Sequence, residues 1–143
     1  MSSIEQRAWL TLWTMCPVYA VYFAIQAWYP QLAPTPLSRF GLLAVVAGLH
    51  AVGYVAGLLV LRLRHREEGP IVDERDRAID ARASRAAYFL LLTGMILAGM
   101  IMPFTDRGWQ VANTALLFIV LSETLRVVLT VRGYRHLGAA RRA

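Results

Sequence analysis

Two charged residues three apart interrupt a long apolar run near the end of the chain. They are Glu123 and Arg126, inside Val111 to Val131. A charge in lipid is costly, so such residues are candidates for function by default. At i, i+3 the two can form an ion pair, or Arg126 can reach back to the membrane surface. The chemistry open to Glu123 is response to a proton or a cation; the structural alternative is a Glu–Arg pair at the membrane edge. Ser122 and Thr124 flank Glu123, and Asn113 and Thr114 add polarity nearer the other end of the run. His50 lies in another apolar run, near its middle. It can relay a proton or serve as a hydrogen-bonded packing group. The depths of His50 and Glu123 differ, so a His50–Glu123 shuttle does not follow from spacing.

A second charged constellation is Asp73-Glu74-Arg75-Asp76-Arg77-Ala78-Ile79-Asp80. On a helix Asp73, Asp76 and Asp80 share one face at i, i+3 and i+7, bordered by Arg77. Asp73 suits an N-cap, and Glu74 and Asp76 suit a first turn, where the helix dipole favours anions. Asp73 and Arg77 form an i, i+4 pair. The functional alternatives are a partner's basic surface or a divalent cation, although one helix face supplies few oxygens for a metal. The expected site is therefore a cytoplasmic interaction face of Asp73, Asp76, Arg77 and Asp80, with no metal, cofactor or catalytic residue assigned.

The elements that must carry these groups are four apolar runs: Trp9 to Trp28, Phe40 to Leu61, Ala86 to Met102 and Val111 to Val131. A bilayer core is crossed by about 20 apolar residues in a helix, with a range of roughly 17–25. All four meet that length. The chain has 143 residues, 57% hydrophobic and 17% charged, against about 25% charged in soluble domains. The expected fold is all-α: an integral membrane four-helix bundle made of two helical hairpins. Residues 1–143 form one transmembrane domain, with a charged segment at 62–85 and a basic tail at 132–143. These residues leave no room for a soluble catalytic domain.

All fifteen basic residues are Arg, which excludes lysine chemistry. They are distributed unevenly. Arg39 alone lies between the first two runs and Arg107 alone between the last two. Seven lie between runs two and three, and Arg132, Arg135, Arg141 and Arg142 follow run four. The positive-inside rule places both termini and the central segment in the cytoplasm. It places the loops Tyr29–Arg39 and Pro103–Gln110 outside. The excess Arg then faces anionic headgroups rather than nucleic acid. Trp28, Tyr29, Trp109 and Tyr134 sit at span ends, where such rings favour the headgroup zone.

Pro30, Pro34 and Pro36 end the first span and Pro103 ends the third. Gly69-Pro70 breaks the chain after span two. No breaker follows until Pro103, so one helix is expected from about Asp73 to Met102. Both hairpins share a plan, Arg, outer Pro, Arg, but their residues barely match.

Span two carries Gly48, Gly53 and Gly57. Gly53 and Gly57 form a GxxxG pattern that lets helices approach closely, within the chain or between subunits. Cys16 is the sole cysteine, which excludes an intrachain disulfide and a Cys-based zinc site. Cys16-Pro17 predicts a kink in span one. Trp13, Tyr19, Tyr22 and Phe23 give that span an aromatic side suited to packing or to an aromatic cage. Met95, Met100 and Met102 do not share a face and read as packing. The first run is too long and aromatic for a cleaved signal peptide.

The run Asp73-Glu74-Arg75-Asp76, Ile79, Arg82-Ala83 and Ala87, entering an Ala-rich third span, resembles a family of small four-span prokaryotic membrane proteins known only as a domain of unknown function. The resemblance implies a bacterial or archaeal cytoplasmic membrane protein. It carries no catalytic residues to transfer.

Two functional classes follow. One is a non-enzymatic accessory or regulatory membrane protein acting through helix contacts and its charged segment, as a homo-oligomer or with a membrane protein partner. The other is a subunit of an oligomeric pore or small transporter. Four-span multidrug exporters use a carboxylate in the first span, which this chain lacks. An enzyme is not expected, because no HExxH and no nucleophile beside a base occurs.

Overall fold

The computed structural model describes residues 3–64, 74–104, 106 and 108–140, without the side chains of residues 3, 64, 75 and 135–140. Four long helices account for most of them: α1 Ser3–Trp28, α2 Pro36–Arg64, α3 Glu74–Ile96 and α4 Gly108–Ala140. There is no strand among the described residues. The fold is all-α, and all four helices are long and apolar enough to cross a membrane. Contacts divide the chain into two compact units, Leu10–Pro70 and Ile71–Ala143, the second including Met1–Trp9.

In the first unit α1 and α2 form a hairpin. Leu10 meets Gly57, Thr14 meets Gly53, and the Tyr19 ring meets His50. Numbers rise on one helix as they fall on the other, which makes the pair antiparallel. α1 continues as a helix through Pro17. Tyr22 is its fully buried large side chain, with the Phe23 ring edge-on at 5.2 Å.

The turn between the helices is set by prolines and a cap. Tyr29 N–H still bonds Ile25 O at 2.9 Å, and then Pro30–Leu32 tighten into a 3-10 turn. Thr35 caps α2. Ser38 N–H donates to Thr35 Oγ1 at 3.2 Å, and Thr35 N–H donates to Ser38 Oγ at 3.1 Å. This is the reciprocal arrangement of a capping box, with Ser in place of Glu. Pro36 follows at the first helical position, where its missing N–H loses nothing. Arg39 Nε donates to Ala33 O at 2.9 Å and ties the turn to the helix start.

In the second unit α3 and α4 are antiparallel. Gly94 meets Phe118, and Ile79 meets Gly133. The α3 face toward α4 is built from small residues. Ala83, Ala87, Gly94 and Ala98 are all buried. Without bulky side chains the backbones approach closely, which drives helix association where lipid tails are as apolar as leucine.

The third helix runs unbroken to Phe104, in line with the expected single helix, although its α-helical part ends at Ile96. A π-helical turn follows over Leu97–Ile101, with Met102 N–H bonded to Leu97 O, and then a 3-10 turn over Met102–Phe104. Pro103 explains this. Its ring crowds the carbonyl four residues back, at Gly99, and it has no N–H to continue the ladder. The basic segment after Val131 continues α4 as far as Ala140. Gly133 does not end the helix, because its bare Cα is what lets Ile79 sit against it. A Cβ there would lie 2.7 Å from Ile79 Cγ2.

Candidate functional site

The polar groups of α4 are the natural place to begin. Ser122 and Thr130 are buried, and their hydroxyls donate to the carbonyls of Ile119 and Arg126, both at 2.9 Å. Thr124 does the same to Val120 O at 2.7 Å. Such back-bonding satisfies a hydroxyl in an apolar medium without a second helix. The charges behave similarly. Arg126 Nη2 donates to Glu123 Oε1 at 2.6 Å, and Arg126 Nε lies 3.2 Å from both carboxylate oxygens. The spacing of three residues on one helix face makes this geometry available.

A third group joins them across the helix interface. Arg126 Nη1 lies 3.7 Å from Asp80 Oδ1 of α3. Arg126 is thus flanked by two carboxylates, one on its own helix and one opposite. The side chains of Arg126, Asp80 and Glu123 are 39%, 43% and 35% exposed. Arg126 lies eighteen residues after Gly108, roughly 27 Å along the helix. A hydrocarbon core is about 30 Å thick, so the cluster sits near its far boundary. A partly desolvated guanidinium there gains from a compensating anion, and it has two.

The cluster merges two sites that the sequence kept apart. Asp80 was expected on a cytoplasmic face with Asp73, Asp76 and Arg77, whereas Glu123 and Arg126 were expected as an intramembrane pair. Asp80 instead turns toward α4. The same α3 face carries Ala83 and Ala87 one and two turns on, so burial of these alanines delivers Asp80 to Arg126. Asp76 is half-buried and Arg77 is exposed. Asp73 lies outside the described residues. Among the described residues no group of three or more His, Cys, Asp or Glu is placed to hold a metal ion.

His50 belongs to the other unit. Its ring meets Tyr19 edge-on at a centroid distance of 5.6 Å and lies 6.3 Å from Tyr54. Its Nε2 is buried with no hydrogen-bond partner among the described residues. Of the glycines on α2, Gly57 is tightly packed by Leu10, and Gly53 is in ordinary contact with Thr14 at 3.6 Å. Gly48 has open space where a Cβ would be, so it mediates no close approach among the described residues. The close approach at Gly94 was not foreseen, because Gly94 forms no GxxxG pattern. Its signal was the spacing of small residues at 83, 87, 94 and 98.

Residues 37–136 match the family described as predicted membrane protein (DUF2178). The chain belongs to this family. It is a multi-pass membrane protein. The DUF2178 match covers α2, α3 and most of α4, and therefore His50 and the whole Asp80–Arg126–Glu123 cluster. No curated protein and no solved structure matches the chain.

Proposed function

We propose that the protein is a non-enzymatic accessory or regulatory component of a bacterial or archaeal cytoplasmic membrane. It works through helix contacts and through the charged start of α3. The supporting observation is how the polar groups of α4 are engaged. Arg126 is compensated by Asp80 and Glu123, and the Ser122, Thr124 and Thr130 hydroxyls bond their own backbone. The Asp80–Arg126 contact holds α3 to α4, and the hydroxyls, bonded within α4, are withdrawn from a water-filled path. A pore subunit needs polar or charged groups turned toward such a path. Between Arg39 and Arg62, α2 carries no Asp, Glu, Lys or Arg, and its titratable side chains are His50 and Tyr54.

In this reading both termini and residues 62–85 face the cytoplasm, and the Arg-rich end of each helix meets anionic headgroups. The Asp80–Arg126 contact fastens the start of α3 to α4. Asp76 and Arg77, one turn earlier, are then held at a fixed place for a protein partner.

The test is reconstitution of the full chain in vesicles beside partner recovery from its own membrane. The reading expects no flux of monovalent ions above protein-free vesicles. It also expects loss of a co-purifying membrane protein on the paired charge reversal Asp76→Arg and Arg77→Glu. Flux that scales with protein and is altered by Glu123→Gln would replace it with the pore reading.

A further inference from the structure

The face of α3 turned away from α4 has its own order. Arg82, Arg85, Phe89, Leu92 and Ile96 follow one another at spacings of three, four, three and four, which places them on one stripe of a helix. All five are exposed. The stripe lies opposite the buried Ala83, Ala87, Gly94 and Ala98. Its two ends differ in chemistry: two guanidiniums at one end, then three large apolar side chains. Beside the stripe, Tyr88 is exposed and its ring meets Phe89 at 5.9 Å.

The two arginines have no carboxylate within helical reach. Positions three and four away from Arg82 are Ile79, Ala78, Arg85 and Ala86; those around Arg85 are Arg82, Ala81, Tyr88 and Phe89. Among the described residues neither arginine has an ion pair. Glu74, also exposed, lies eight residues before Arg82, roughly 12 Å along the axis. The acidic side chain nearest in sequence, Asp80, is engaged by Arg126 on the other face. Like charges at i, i+3 repel, so an anion shared by both would remove a cost as well as add contacts.

The dimensions fit one ligand class. From Arg85 to Ile96 is eleven residues, roughly 16 Å, and half a hydrocarbon core is about 15 Å. We infer that this stripe seats one acidic phospholipid lengthwise. Its phosphate lies between Arg82 and Arg85, and one acyl chain lies along Phe89, Leu92 and Ile96. Tyr88 stands at the boundary between headgroup and chain, where its ring is half buried and its hydroxyl wet. Planar guanidiniums suit the phosphate, because each offers two parallel donors. Arg126, at similar depth on α4, is excluded from this role by its two carboxylates. The inference rests on the reading that the Arg-rich ends meet anionic headgroups, and it narrows that reading to one site.

The test is native mass spectrometry of the full chain in mild detergent with equal amounts of phosphatidylglycerol and phosphatidylcholine of the same chain length. Two basic residues near a headgroup give a preference of about thirtyfold for the acidic lipid. The pair Arg82→Gln and Arg85→Gln should bring that ratio to about unity. The pair Arg82→Lys and Arg85→Lys should keep part of it. The pair Arg62→Gln and Arg132→Gln removes the same charge from exposed positions elsewhere and should lower the ratio far less. Glycerol phosphate, the headgroup without chains, should not displace the bound lipid. An equal fall with the Arg62 and Arg132 variants would reduce the site to diffuse attraction and overturn the inference. Displacement by glycerol phosphate would overturn it too, as a headgroup pocket without a chain groove. Absence of any preference in the unaltered chain would overturn the broader headgroup reading along with it.

Discussion

Removing charges from the Asp80–Arg126–Glu123 cluster should destabilise the protein in a fixed order. At 3.7 Å, an Asp80–Arg126 pair has a gross Coulomb attraction of about 4.5 kcal/mol at an effective dielectric of 20. Both side chains are about 40% exposed, so solvent screening and side-chain entropy reduce the net coupling to about 0.5–1 kcal/mol. The Glu123 pair is closer, at 2.6 Å, and Arg126 Nε adds contacts to both oxygens. Its coupling should be larger, about 1–1.5 kcal/mol. Arg126→Gln leaves both carboxylates without their cation and should cost about 1.5–2.5 kcal/mol, the two couplings together. The assay is a pair of double-mutant cycles, with Asp80→Asn and with Glu123→Gln, each against Arg126→Gln. Unfolding would be followed in a neutral detergent at low and high salt. Added salt should weaken the Asp80 coupling more than the Glu123 coupling, because the longer pair is held by charge alone whereas the Glu123 pair also makes hydrogen bonds. A zero Asp80–Arg126 coupling at low salt, or one larger than Glu123–Arg126, would refute the geometry.

Other expectations concern packing. Gly94→Ala would place a methyl against the Phe118 Cβ and ring, which cannot swing away without moving α4; a loss of about 2–3 kcal/mol is expected on chemical unfolding. Gly57→Ala meets only the end of the Leu10 side chain and should cost under about 1 kcal/mol on the same assay. Gly48→Ala meets nothing and should be neutral or stabilising by up to about 1 kcal/mol, as alanine is the better helix former; a marked loss would reveal a contact with a second copy. Thr35→Ala removes the α2 cap and should cost about 1 kcal/mol, seen as faster hydrogen exchange over the first turn of α2. His50→Phe keeps a ring against Tyr19 and removes the buried Nε2; thermal stability should hold or rise, and a fall of more than about 1 kcal/mol would mean that the nitrogen has a partner.

The sequence exposed some levels of this structure and hid others. Four helices were legible because membrane-spanning helices must satisfy their backbone internally and announce themselves as long apolar runs. The Glu123–Arg126 contact was legible because it is set by spacing on one helix. The Asp80–Arg126 contact was not. It depends on which face of α3 packs against α4, and the charged residues before Ala83 suggested a cytoplasmic interaction face. The decisive signal was the row of Ala83, Ala87, Gly94 and Ala98, which fixes the buried face and brings Asp80 with it. The π turn at Leu97–Ile101 was hidden for a different reason. Pro103 marks where a helix must end, but not how the preceding turn yields to its ring. Gly48 shows the limit in the other direction, since a glycine in a small-residue pattern need not touch anything.

The central claim is that the spans are engaged in holding the protein together rather than in lining a path through several copies. The most direct measurement is the mass of the purified full chain in mild detergent, with bound detergent subtracted. The chain has a mass of 16.0 kDa. The account predicts one or two chains per particle. A ring of four or more, persisting on dilution, would contradict it and would make the question which helix faces the ring's axis.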